Sequence, residues 1–246
     1  MDVAISGDRS SCLTQQLAPG AYLFAVAHGF GCVEGEPIAP AILRRLREDV
    51  ERRSRGDRLR RAQHRAKGLS PNLLGAFTRV NAEVHARTAS HEDYVTAGCS
   101  LTSVLLIGDR AYLAHVGSTA AYLSRDGYVV SLTKNDTFEE SAVPVLTRAL
   151  GSAPNVEVAV SSFSLNEGDA LVLAGRRLRE ADEHRRLAQT LAYCTAGPAA
   201  AEQLLVVRYS PAEDPEVAAP AESQTVHTVV TGVLATLLFY VLLCIR

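Results

Sequence analysis

Between residues 102 and 132 the apolar residues come in short runs broken by tight turns. Thr102–Ile107 leads through Gly108-Asp109-Arg110 into Ala111–Val116, and Ala120–Leu123 meets Tyr128–Leu132 across a loop holding Asp126-Gly127. Asp-Gly between two apolar runs is a strong hairpin signal. More strands are predicted elsewhere. Tyr22–Ala27 reads as a buried strand ending at His28-Gly29. Val156, Val158 and Val160 alternate as a half-buried strand should, and Ala170–Ala174 and Leu204–Val207 are further short apolar runs. Helices enter in blocks. Ile42, Leu43, Leu46 and Val50 have helical spacing, interrupted at 54–57. Ser70-Pro71 is a good N-cap and first-turn pair, followed by Leu73, Phe77, Val80 and Val84 on one face. Leu187, Leu191 and Cys194 suggest one more helix. Hairpin-joined strands with helices in blocks predict an α+β fold rather than alternating βαβ units.

Charge and cysteine content narrow the function classes. In 246 residues, 25 Lys and Arg stand against 27 Asp and Glu, a net charge of -2 that argues against a nucleic-acid partner. Five scattered cysteines make no disulfide framework and fit a reducing compartment. The first residues lack the basic and apolar regions of a signal peptide. Residues 226–245 contain no Asp, Glu, Lys or Arg and are almost wholly apolar. About 20 such residues span a bilayer, so this stretch is expected to be a single-pass C-terminal anchor in contact with membrane lipid. Without an export signal, the domain is expected on the cytoplasmic side. The expected organisation is a globular domain over 1–209, an acidic, proline-containing linker over 210–225 and the anchor over 226–246.

Three stretches within roughly 20–209 resemble the metal-dependent protein phosphatases of the 2C type. Phe24-Ala-Val-Ala-His28-Gly29-Phe30-Gly31 is similar to the family's Ala-Asp-Gly-Met-Gly-Gly. Ala97-Gly98-Cys99-Ser100, then His115-Val116-Gly117-Ser118-Thr119-Ala120-Ala121-Tyr122-Leu123, are similar to Met-Gly-Thr-Thr and His-Val-Gly-Asp-Ser-Arg-Ala-Tyr-Leu. Leu146–Gly151 with Gly168-Asp169 and Leu171–Leu173 resembles the approach to the family's Ser-Asp-Gly. The resemblance implies two packed antiparallel sheets flanked by helices. It also implies a mechanism in which aspartates and a backbone carbonyl hold two divalent metals that activate water against a phosphoryl group.

Under that resemblance the metal-binding carboxylates are replaced. His28 stands for the bridging Asp, with the carbonyl-bearing Gly29 retained. Ser118 stands for the central Asp, Arg176 for the Asp of Ser-Asp-Gly, and Ala200 for that of the last motif. Magnesium and manganese need oxygen ligands, chiefly carboxylates, and Arg176 brings a permanent positive charge instead. The expected protein is therefore a membrane-anchored pseudophosphatase with no cofactor, binding or regulating within Ser/Thr phosphorylation signalling. Two alternatives stay open: a divergent active Ser/Thr phosphatase that uses manganese or magnesium, and an anchored scaffold with a vestigial site. If Arg176 is buried it needs a partner, Asp169 or Glu180 by proximity; two other roles stay open, that Arg176, with Arg177, faces the cleft and binds phosphate, and that Arg176 faces outward and is solvated.

Three weaker constellations have unremarkable readings beside their functional ones. His28, Cys32, Cys99 and His115 have ligand types suited to zinc, but nothing in the spacing unites them. His115 and Ser118 suggest a base and a nucleophile, without an identifiable third group. Residues 44–67 carry ten Arg and one Lys against four acids, so 11 − 4 = +7. That segment suits an acidic partner or an anionic leaflet, or else a solvated helix face and loop.

Overall fold

The computed structural model describes residues 1–54, 70–89, 97–138, 145–177 and 203–210. In chain order the strands are β1 (Asp2–Ser6), β2 (Cys12–Ala18), β3 (Ala21–Phe30), β4 (Cys32–Val33) and β5 (Glu36–Pro37). Helices α1 (Ile38–Ser54) and α2 (Ser70–Ala89) follow. Then come β6 (Gly98–Ile107), β7 (Arg110–Val116), β8 (Ala120–Arg125), β9 (Tyr128–Ser131), β10 (Thr137–Phe138) and β11 (Val145–Leu146). The last strands are β12 (Ala159–Ser164), β13 (Ala170–Ala174) and β14 (Leu204–Arg208).

Two five-stranded sheets carry the fold, in the orders β12-β7-β6-β3-β2 and β1-β14-β13-β8-β9, with every pairing antiparallel. The unbroken apolar run of β3 follows from its two covered faces. Successive side chains alternate across a strand. Phe24 and Val26 face the interlayer with Val104, Leu106, Leu171, Leu173 and Leu205. Leu23, Ala25 and Ala27 face the helices, against Ile42, Leu46, Phe77 and Val84. The helical spacings read from the sequence supply that third layer: Ile42, Leu43, Leu46, Val50, Leu73, Phe77, Val80 and Val84 are all buried. The expected two-sheet α+β architecture is the one observed.

Local details follow turn chemistry. Asp126 and Gly127 both have positive φ, 51° and 79°, the conformation of a two-residue hairpin turn whose twist matches its strands. The strand expected around Val156, Val158 and Val160 is displaced. β12 begins at Ala159 and pairs with β7 from His115 to Arg110. Val156 and Val158 instead pack, half-buried and outside any strand, against the helix-side core. Alternation alone does not separate an edge strand from an extended segment lying on a core. β1 and β2 were not predicted. Both lie at sheet edges, half exposed, and neither shows a regular apolar–polar alternation or a long apolar run.

No described helix is long and apolar enough to cross a membrane. The helix expected around Leu187–Cys194, residues 211–225 of the linker and the 226–245 segment lie outside the described residues, as do Glu180 and Ala200.

Candidate functional site

The family-like motifs meet at one end of the strands. β3 pairs with β6 so that His28 is opposite Ser100, Gly29 opposite Cys99 and Phe30 opposite Gly98. The Ser100 hydroxyl lies 3.2 Å from the Ser118 hydroxyl and accepts the Ser118 amide at 3.0 Å. The Arg177 amide donates to the Ser118 carbonyl at 3.1 Å. His28, Ser118 and the Arg176-Arg177 pair, three positions far apart in the chain, are thus linked through one row of hydrogen-bonded neighbours. Of the four positions named from the sequence as replaced carboxylates, three, His28, Ser118 and Arg176, lie on neighbouring stretches of backbone at this end.

Arg176 is exposed, so the expectation of a buried arginine that needs Asp169 fails. Asp169 is buried and serves Arg125, which donates to it through Nε at 2.9 Å and Nη2 at 2.6 Å; the Asn166 amide adds a third bond at 2.7 Å. Burial pushes the Asp169 carboxyl up, but these bonds outweigh it and hold it below the ordinary carboxylate value. Arg177 is half-buried, and its Nη1 donates to the Thr133 carbonyl at 3.2 Å.

A buried polar scaffold supports this end. His115 is 1% exposed. Its Nε2 lies 2.8 Å from the Lys134 carbonyl, which can only accept, so Nε2 carries the proton. Nδ1 then accepts from the Thr102 hydroxyl at 2.9 Å, and Thr102 accepts from Thr119 at 2.8 Å. Both ring nitrogens are engaged, so the Ser118–His115 nucleophile and base suggested by the sequence is not formed. Asp136, buried, accepts the Gly117 amide at 2.8 Å and pairs with Arg148. The Asp136 carbonyl accepts both the amide and the hydroxyl of Thr147, each at 2.8 Å. Sequence reading missed Asp136, Arg148, Thr102 and Thr119. Their partners are 12 to 19 residues away, and no local pattern marks such pairs.

Burial depresses the His115 pKa below its ordinary 6.5, against the opposing pull of Asp136. The unfolded chain therefore takes up a proton, as pH falls through 6.5, that the folded chain refuses. Folding stability should decline from neutral pH toward the lowered folded value. His115→Gln should flatten that slope in urea melts between pH 7 and pH 5; an unchanged slope would assign it to other groups.

The zinc reading finds no support. Cys99 is fully enclosed, with burial pushing its thiol up to about 12, whereas Cys32 is exposed. Among the described residues no three His, Cys, Asp or Glu side chains cluster as metal ligands. For divalent metals of the phosphatase type, which take oxygen ligands and chiefly carboxylates, the described residues at the motif positions His28, Ser118 and Arg176 supply imidazole, hydroxyl and guanidinium groups, which do not fit such an ion. The described part of the basic segment is largely paired. Arg44 meets Glu36, Arg45 meets Glu83 and Arg53 meets Asp49. The unbalanced basic residues from 55 to 67 lie outside the described residues.

Comparison with known proteins accords with this geometry. The serine/threonine protein phosphatase PstP of Mycobacterium tuberculosis is 30% identical over 125 residues, half of this chain but only 22% of that relative's length. Its crystal structure superposes with a TM-score of 0.55 at 20% identity, covering 83% of this chain and 94% of the other. PppA of Pseudomonas aeruginosa gives a TM-score of 0.60 at 17% identity, covering 84% and 96%. The serine/threonine phosphatase of S. agalactiae gives 0.57 at 19%, covering 85% and 99%. At such identities these structures show a shared fold. Residues 5–141, more than half of the sequence, match the family described as protein phosphatase 2C, and the chain belongs to that family.

Proposed function

We propose that this chain is a pseudophosphatase. It keeps the phosphatase fold, holds no catalytic metals, and acts as a binding or regulatory protein in Ser/Thr phosphorylation signalling. The observation that carries the reading is the donor set at the strand ends. His28, Ser118 and Arg176 occupy the family's carboxylate positions, and the acid woven into their surroundings, Asp136, is committed to Arg148 and the Gly117 amide. A PstP structure is described as a complex with two manganese ions; this chain's described residues offer no comparable ligand group. The uncharged, apolar 226–245 segment supports a place at the membrane, with the folded domain on the cytoplasmic face and a phosphorylated or acidic protein as partner.

The full-length protein, purified in detergent, is the test material. Manganese titration should show no stoichiometric binding, and phosphate release from an aryl phosphate or phosphopeptide should not exceed background with manganese or magnesium. Metal-dependent turnover that disappears in His28→Ala would establish the divergent-phosphatase alternative instead. The same protein should resist alkaline carbonate extraction from membranes, whereas release by carbonate would overturn the anchor.

A further inference from the structure

Each large sheet ends in two edge strands, and unpaired edges invite pairing with another chain unless charge, proline, a bulge or a cover blunts them. Three of the four edges carry such a device. β1 bears the charge of Asp2. β2 is bulged between Gln16 and Ala18 and packs against α1. β12 is half serine and packs against α2. β9 has none of these protections. Its residues Tyr128, Val129, Val130 and Ser131 include no charge and no proline, and among the described residues it pairs with β8 alone. Tyr128 is 74% exposed and Val130 57%. Aromatic and β-branched residues on an open edge form a template for another strand.

The hydrogen-bonding phase of that edge is fixed. The Leu132 amide donates to the Ala121 carbonyl at 2.8 Å, and bonded and non-bonded pairs alternate along an antiparallel ladder. With Val130 opposite Leu123 and Tyr128 opposite Arg125, Val130 and Tyr128 turn their backbone groups toward β8. Val129 and Ser131 turn theirs outward. The side chains divide into two faces as well: Val130 shares the face of Leu123, which packs against the interlayer core, and Tyr128 and Leu132 lie on that face too. Exposed charges of opposite sign flank the strand, Asp126 in the turn before it and Lys134 beyond its end.

We propose that β9 pairs with β9 of a second copy of this chain, antiparallel about a twofold axis at Val130. A twofold contact uses the same patch on both copies, and this patch is self-complementary. With Val130 facing Val130, Val129 of each copy faces Ser131 of the other, so the outward-turned backbone groups exchange two hydrogen bonds at each of those facing pairs. Tyr128 then faces Leu132 of the second copy, and Asp126 comes to the end where the second copy's Lys134 lies. Apolar and opposite-charge pairs across strands are both stabilising. The nearest alternative axis, at Val129, sets Ser131 against Gly127, whose φ of 79° is not that of a strand. A four-residue edge falls short of the roughly 1,200–2,000 Å² of a stable complex, so the dimer is a reversible one that forms as concentration rises. The proposal is independent of the pseudophosphatase reading, since β9 holds none of the motif positions.

The test is sedimentation equilibrium of the full-length protein in density-matched detergent, from about 1 μM to about 500 μM. A monomer–dimer equilibrium is expected. Val130→Lys sets like charges across the axis and should weaken association at least about tenfold, with the melting temperature unchanged. Lys134→Asp should weaken it as well, and Asp126→Lys added to Lys134→Asp should restore it. Mild oxidation of Val130→Cys should give a dimer in which mass spectrometry finds residue 130 joined to residue 130. Tyr128→Cys should not self-link, because the two copies of residue 128 lie on opposite sides of the axis. A monomer at every concentration overturns the proposal. A dimer that Val130→Lys leaves intact also overturns it and assigns association to another surface, such as the apolar 226–245 segment. Self-linking of Tyr128→Cys as readily as Val130→Cys overturns the pairing.

Discussion

Gly117→Ala is expected to destabilise the fold by about 3–5 kcal/mol, which lowers the melting temperature by roughly 10 °C for a domain of this size. Gly117 has φ +100°, a conformation that L residues rarely adopt, and a Cβ there would lie 2.2 Å from Ser100 Oγ and 2.8 Å from Ser100 Cα. The hydroxyl can rotate away, but the backbone carbon cannot, so Ser100→Gly should restore only part of the loss. Thermal unfolding of the two single variants and the double variant checks this; a loss below about 1 kcal/mol would mean that the loop re-forms freely. Gly29 is constrained in a related way without positive φ: its Cβ would lie 2.5 Å from Ile38 Cγ2 and 2.8 Å from the Gly98 carbonyl oxygen. Both glycines belong to motifs that resemble phosphatase metal motifs. Close backbone approach is sufficient reason for their presence, whether or not a metal is bound.

That separation explains what the sequence revealed. The glycines and apolar runs of the motifs are demanded by strand pairing and packing, so they mark the fold independently of any metal ligand. Phe24 and Val26, alternating with Leu23, Ala25 and Ala27, serve two apolar interfaces at once, and a strand covered on both faces reads as an unbroken apolar run. β1 and β2 sit at edges, with one neighbouring strand each and partial exposure. Their residues are under little pressure to alternate, and they left no legible pattern. The Val156–Val160 alternation was legible but misassigned, since a core-packed segment outside a strand shows the same periodicity.

At the site, the motif positions were legible and their environment was not. His28, Ser118 and Arg176 could be placed by motif order, and backbone pairing unites them. Asp169 was the partner offered for Arg176 by proximity, but its cation, Arg125, lies 44 residues earlier on a neighbouring strand. The pairing follows from sheet register: Ala170 is opposite Ser124, which sets Asp169 and Arg125 side by side at the strand ends. Register of this kind becomes visible only once the strands are aligned. The nucleophile reading of Ser118 failed for a similar reason, because the Lys134 and Thr102 partners of His115 come from other turns and strands.

Arg148→Met should cost about 3 kcal/mol, and a second substitution should recover much of it. Asp136 is buried, and Arg148 supplies its countercharge. Without the guanidinium, a carboxylate is left in the interior with the Gly117 amide as its described side-chain partner. Removing one member of a buried pair is costly chiefly because the other stays charged and unsolvated. Asp136→Asn in the Arg148→Met background removes that charge and keeps a carbonyl oxygen for Gly117, so the double variant should be more stable than Arg148→Met alone. Urea unfolding of the four proteins in the cycle gives the coupling directly. If the double variant is less stable by the simple sum of the two single losses, Asp136 and Arg148 act independently. The strand end is then held by backbone pairing alone. A recovered stability would identify the pair as the fastening of the loop that carries Gly117 and Ser118.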